Sequence, residues 1–248
     1  MDARRQKEAV AWVLKNGGTV DYDWEVYSPE DETTVGLRKG TPPGPQWMRR
    51  ILGDDYLQTV RVVSLPGNSK VPDIAPLAKL TQLQTLYLIK SGTRNISPLA
   101  ELEELEVVWL TGNQIVDVSP LSGLRKLKYL TVAHNEVSDI SPLSSLRNLE
   151  GLAIGGNDIQ EISALGGMTR LKVLDLSGNP INDFAPLKSL PSLRLLALEE
   201  NDDNADTNGK LRTALPNDEV KVNWTPSGRN WWESQKRAVS TTTRKTGS

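Results

Sequence analysis

Between Val60 and Asn201 the apolar and polar positions follow one compound pattern, LxxLxxLxLxxNxIxDISPLxxL, written seven times. The opening leucines Leu83, Leu105, Leu127, Leu149, Leu171 and Leu193 are 22 residues apart, and an earlier copy opens at Val60 with one residue more. Within each copy the LxL stretch alternates with period two, as a half-buried strand does. The following segment places Pro76, Pro98, Pro120, Pro142 and Pro186 at the start of a short helical turn. There the fixed φ of proline is preset and its missing N–H costs nothing. An asparagine column (Asn68, Asn113, Asn135, Asn157, Asn179, Asn201) stands where the chain leaves each strand. Its amides suit backbone groups that would otherwise stay orphaned. Two copies depart from the rule. Ser91 replaces the second asparagine, which predicts a weaker column at that point. In the fifth copy Ala164 replaces proline ahead of Gly166-Gly167, which predicts local loosening.

A fixed period in the twenties is the signature of leucine-rich repeats. The expected fold is α/β, a right-handed leucine-rich-repeat solenoid. Short parallel strands line its concave face and mostly 3-10 turns its convex face. Such a stack must be sealed at both ends, because an open end exposes its core. Residues 1–59 read as an N-terminal cap of helix, strand or hairpin, and short helix. Residues 2–16 form an amphipathic helix with Val10, Val13 and Leu14 on one stripe, stopped by Asn16-Gly17-Gly18. TVDYDWEVY alternates, with Val20, Tyr22, Trp24 and Val26 facing one way. SPEDETT reads as a polar turn and GTPPGP as a rigid linker, ahead of a short helix over Trp47–Leu52. Residues 60–201 are the seven repeats. Residues 202–224 form a C-terminal cap, with a brief helix at Lys210–Leu215 stopped by Pro216 and a last strand in VKVNW. Residues 225–248 are a basic, partly disordered tail containing Trp231-Trp232.

Composition narrows the function more than it names it. With 29 basic and 31 acidic residues the chain is nearly neutral, so no global field points to nucleic acid or an anionic membrane. The absence of cysteine removes disulfides, thiolate metal sites and cysteine nucleophiles together. The N-terminus has no apolar core of a signal peptide, and no stretch nears the roughly 20 apolar residues of a membrane helix. The chain therefore reads as a soluble, cytoplasmic monomer, with prior removal of a leader as the alternative. The single histidine, His134, takes a position filled by Gly112, Gly156 and Gly178 in other copies. It reads as a turn substitution rather than a catalytic base. The acidic runs Glu30-Asp31-Glu32 and Asp202–Asp206 lack the spacing of a calcium loop. No catalytic residue, metal site or cofactor is expected.

The segments NQIVDVSPL (113–121), NEVSDISPL (135–143) and NPINDFAPL (179–187) resemble the 22-residue, internalin-like class of bacterial leucine-rich repeats. The ends are similar to caps of leucine-rich-repeat proteins from environmental bacteria, through AVAWVLKNGGTVDYDWE, PPGPQWMRRILGDD and LRTALPNDEVKVNW. Asp218 departs from that cap, where a cysteine would be expected. The resemblance implies protein–protein binding on the concave strand face.

The period of two assigns the outward concave positions: Val62, Ser64, Pro66; Thr85, Tyr87, Ile89; Val107, Trp109, Thr111; Tyr129, Thr131, Ala133; Gly151, Ala153, Gly155; Val173, Asp175, Ser177; Leu195, Ala197, Glu199. Tyr87 and Trp109 share a column on adjacent strands, with Tyr129 one column over. Exposed Trp and Tyr are the usual anchors of an interface; the alternative is that they only stabilise the sheet. Beyond them lie a floor of small residues and an acidic end at Asp175, Glu199 and Glu200. The candidate partner-binding residues are Tyr87, Trp109, Tyr129, Thr131, Gly151, Ala153, Asp175 and Glu199. They suit another protein bearing a hydrophobic and a basic part. A carbohydrate or small-ligand receptor stacking on the aromatics is a second reading, and a purely structural spacer a third.

Overall fold

The computed structural model describes residues 3–22, 26–27, 37–38, 59–65, 67, 70–199, 211, 213–217 and 219–225. The expected helix at Trp47–Leu52, residues 226–248 of the tail, Trp24, Asp218, Pro66, Asn68, Glu200 and Asn201 lie outside the described residues.

Each repeat contributes one short strand to a common sheet. The strands are β4 (Val60–Leu65), β5 (Thr85–Leu88), β6 (Val107–Trp109), β7 (Tyr129–Thr131), β8 (Gly151–Ala153), β9 (Val173–Asp175) and β10 (Leu195–Glu199). They pair in parallel and in sequence order, as a chain that advances one unit per turn requires. At one end β1 (Thr19–Tyr22) adds to β4 antiparallel, and at the other β11 (Lys221–Thr225) adds to β10 in parallel. The result is a nine-stranded open sheet, β1-β4-β5-β6-β7-β8-β9-β10-β11. A separate pair, β2 (Val26–Tyr27) and β3 (Leu37–Arg38), lies antiparallel between β1 and the repeats in sequence.

The opposite side of each of the first six repeats is a 3-10 turn: Ala75–Lys79, Ser97–Leu99, Ser119–Leu121, Ser141–Ser145, Ser163–Gly167 and Ala185–Ser189. The leucines between sheet and turns form one continuous core; Leu86, Leu99, Leu105, Leu121, Leu130, Leu143, Leu152 and Leu165 are all fully buried. This is the fold of leucine-rich repeats. Five of these turns are entered through a side-chain hydrogen bond. Oδ1 of Asp73, Asn95, Asp117, Asp139 and Asp183 accepts the N–H two residues on, 2.7–2.9 Å away, fixing the chain as it enters each turn. The exposed Asp139 carboxyl is held below its ordinary value by the two hydrogen bonds that Ser141 donates to it.

Both irregular repeats keep their geometry, contrary to expectation. In the fifth, Ser163–Gly167 forms the same 3-10 turn without proline. The N–H of Leu165 still reaches Ile162 and that of Met168 reaches Leu165, at 3.0 and 2.9 Å, and both side chains stay fully buried. Burial of two apolar anchors holds the turn that proline presets elsewhere. In the second repeat the polar column does not lapse at Ser91. Asn135 shows the regular arrangement: its amide donates to the carbonyls of Leu110 and Val132, and its Oδ1 accepts from Ile115 N–H. At Ser91 a different network of two small side chains takes the place of those bonds. Ser91 Oγ donates to Asn113 Oδ1 at 2.8 Å and contacts Thr93 Oγ1 at 2.9 Å, while Thr93 Oγ1 donates to Val71 O.

The N-terminal helix α1 (Ala3–Lys15) packs over the first repeat and β1, with Gln6, Ala9, Val10 and Val13 buried. Leu14, expected on that stripe, is 56 % exposed, because positions 6, 9, 10 and 13 define the inner face. The helix ends in a reciprocal cap: Gly17 N–H donates to Leu14 O and Gly18 N–H to Val13 O, with Gly17 at φ 75°. Gly18 has no room for a side chain; a Cβ there would stand 2.7 Å from Ser64 O. That close approach lays β1 on the sheet edge, with Val20 and Tyr22 against the core as the alternation predicts.

Candidate functional site on the strand face

The register aligns the outward side chains into columns. One runs Ser64, Tyr87, Trp109, Thr131, Ala153, Asp175, Ala197; beside it run Val62, Thr85, Val107, Tyr129, Gly151, Val173, Leu195. Tyr87 and Trp109 are direct neighbours across β5 and β6, and their rings meet edge to face at 84° with centroids 5.1 Å apart. That geometry aligns the positive ring edge of one with the negative face of the other. Tyr129, one column over on β7, is half-buried like the pair. Burial pushes its hydroxyl above the usual tyrosine value; the charge of Glu150 adds to this, while Lys172 and Lys128 oppose it.

The remaining candidates do not all stand exposed. Thr131, Gly151, Ala153 and Asp175 occupy the expected concave positions but are buried, as are Thr111, Ala133, Gly155 and Ala197. Side chains this small do not rise above their neighbours: half-buried Val173 and Leu195 pack against Ala153 and Ala197. Thr131 is held from the side, its Oγ1 2.9 Å from Thr111 Oγ1. Glu199 remains half-exposed. The strand face thus has an aromatic end at repeats two to four and a low, mostly apolar floor leading to two carboxylates.

Asp175 is 3 % exposed. Its Oδ1 accepts both the backbone N–H and the Oγ–H of Ser177, at 3.0 and 2.6 Å. Burial raises its carboxyl above the ordinary value, against the opposing effects of the two Ser177 bonds and of His134. Gly155 makes room for this pair, since a Cβ there would lie 2.7 Å from Ser177 Oγ and 2.9 Å from Asp175 Oδ1. His134 stands in a left-handed turn at φ 54°, and Lys90 at φ 51°. Each lies across the glycine of the next repeat: a Cβ on Gly156 would be 2.5 Å from His134 Nδ1, and one on Gly112 2.8 Å from Lys90 Cγ. The pattern of glycines at 112, 156 and 178 hints at the turn, but nothing in it foretells these overlays.

Charge on the strand-entry flank is settled internally. Lys128 pairs with Glu106 and Lys172 with Glu150, each at 2.7 Å, and Lys126 pairs with Glu104 at 2.6 Å. Among the described residues no group of three or more His, Cys, Asp or Glu side chains is placed to hold a metal ion. Among them also, no helix is long and apolar enough to cross a membrane.

A family model for leucine-rich repeats in two copies matches residues 103–145 and 147–189. Among solved structures, internalin C2 of Listeria monocytogenes is similar at 35 % identity and TM-score 0.52, over 53 % of this chain and 58 % of that one. Internalin F of the same organism is similar at 33 % identity and TM-score 0.57, over 65 % of this chain and 46 % of that one. The chain thus spans about half the length of each internalin it matches. A leucine-rich-repeat protein of Leptospira interrogans shares the fold at 21 % identity and TM-score 0.56, over 60 % of this chain and 39 % of that one. No curated protein matches. Repeats of this kind build protein-interaction modules, typically without catalysis. The chain is a leucine-rich-repeat solenoid of the bacterial, internalin-like kind.

Proposed function

We propose that this solenoid binds another protein through its strand face, with Tyr87, Trp109 and Tyr129 as the anchor. The observation that carries this reading is the concentration of large, half-buried aromatics at one end of a face that gives way to the small, buried Gly151, Ala153 and Gly155. Aromatic anchors supply large contact area with few rotatable bonds, and truncating such an anchor commonly costs about 2 kcal/mol or more of binding. The strands that carry these residues are paired on both sides, so little backbone ordering is required when a partner docks. No catalytic role is assigned to any residue, and the module is proposed to act in the cytoplasm as a monomer.

The test is capture from a lysate of the source organism with the wild-type chain and with a Tyr87→Ala/Trp109→Ala/Tyr129→Ala variant of unchanged circular dichroism. A protein retained by the first and lost by the second supports the assignment. The same catch from both refutes it. Displacement of the captured protein by millimolar monosaccharides would instead favour a glycan receptor.

A further inference from the structure

The flank and the floor of the strand face treat charge differently. On the strand-entry flank, cations and carboxylates of successive repeats neutralise each other within the molecule. On the floor of the sixth repeat, Asp175 has no such partner: no described lysine or arginine pairs with it. Its Oδ1 is saturated by Ser177, whereas Oδ2 accepts no hydrogen bond from any described residue. A carboxylate that is 97 % covered, with one oxygen unsatisfied, is costly to keep in a free protein. The surroundings enclose it without compensating it. Ala153 and Ala197 flank it on the neighbouring strands, and neither offers a donor side chain. Glu199 lies on the same face of β10, two residues beyond the position paired with Asp175, and adds a second negative charge. His134 acts on Asp175 only through its field.

We infer that Asp175 is a recognition point for one positively charged side chain, a lysine or arginine of the protein partner, which donates to Oδ2 while Glu199 shares its charge. This rests on the reading that a protein docks on the strand face, and it names the chemistry that the partner must bring beside its apolar contact. With Oδ1 already occupied, the contact is a single N–H···O bond rather than the two-bond clasp that guanidinium makes with a free carboxylate. The site selects by charge: a neutral group of the same shape would leave the carboxylate buried and uncompensated.

The experiment is a titration of the full chain, followed by amide nuclear magnetic resonance at constant ionic strength. The probes are N-acetyl-lysine amide, N-acetyl-arginine amide and the neutral N-acetyl-citrulline amide. The cationic probes should shift the amides of Ser177 and Gly155 saturably, at least tenfold more tightly than citrulline amide. Asp175→Asn should abolish the saturation, and Glu199→Gln should weaken it by a few fold, with the rest of the spectrum of each variant unchanged. Equal shifts from all three probes, no shift from the cations, or undiminished binding by Asp175→Asn would overturn the inference. The aromatic variant separates the two claims. If it loses its captured protein while the cations leave Ser177 unmoved, docking on the face stands and the cation site falls. If the cations bind but capture survives the aromatic variant, the docking reading falls, and the partner origin of the cation falls with it.

Discussion

Repeats two to four and repeats five to seven present the same backbone with opposite content. Their strands pair in one unbroken register, and the asparagines of repeats three to six make the same bonds to strand-exit carbonyls. On the outward side the first group carries Tyr87, Trp109 and Tyr129, and the second carries Gly151, Ala153 and Gly155, then Asp175 and Glu199. Stability therefore belongs to what the repeats share, and specificity to where they differ. An outward side chain that its neighbours leave uncovered barely alters the stack, so a repeat is free to vary there.

If the inner scaffold is common to both groups, damage to it should cost the same in each. Asn113→Ala and Asn157→Ala each strip a buried amide that serves several backbone groups. Each should lower stability by about 3 kcal/mol, and a difference above about 1 kcal/mol in urea unfolding would break the equivalence.

The outer face should respond in opposite ways. Ala153→Leu forces bulk beneath Val173 and Leu195 and should destabilise by about 1–3 kcal/mol. Trp109→Ala loses an edge-to-face contact and should cost only about 1 kcal/mol of stability. A Trp109→Ala loss larger than that of Ala153→Leu, read from the same urea curves, would make the aromatic end structural rather than functional.

The His134 overlay gives a smaller and more local test. Gly156→Ala places a Cβ against the imidazole at φ 66° and should cost about 1–2 kcal/mol. Adding His134→Gly should recover the part due to collision and leave the part due to φ, as a double-mutant cycle would show.

The smallest effect concerns pH. The folded state raises the Asp175 carboxyl above its ordinary 3.8, so it holds a proton more tightly than the unfolded chain does. The resulting penalty is absent below the unfolded value and grows as pH rises through the raised folded one. Asp175→Asn should therefore gain stability over wild type more at pH 7 than at pH 3. An equal or larger gain at pH 3 in urea midpoints would mean that burial is not the dominant influence on this group.

The repeat number, strand positions and core leucines are legible along the chain because each is a local pattern copied at fixed spacing. Even the concave register follows, since a strand alternates with period two. Exposure does not follow, as Thr131, Ala153 and Asp175 demonstrate. Each points outward as expected yet is covered, because cover comes from side chains on strands 22 residues away. The two irregular repeats carry the same lesson. Ser91 and Ala164 look like weak points in isolation, yet Ser91 is tied to Asn113 in the next repeat and the turn at Ala164 is held by the burial of Leu165 and Met168.

The sequence by itself determined the solenoid, its period, its inward leucines and the aromatic column, because short-range spacing alone decides which side chains face the core. Only the tertiary structure decided that Asp175 lies buried with one oxygen unanswered, and that His134 covers Gly156. Those facts depend on how neighbouring repeats stack, and contacts between repeats have no signature within any single one.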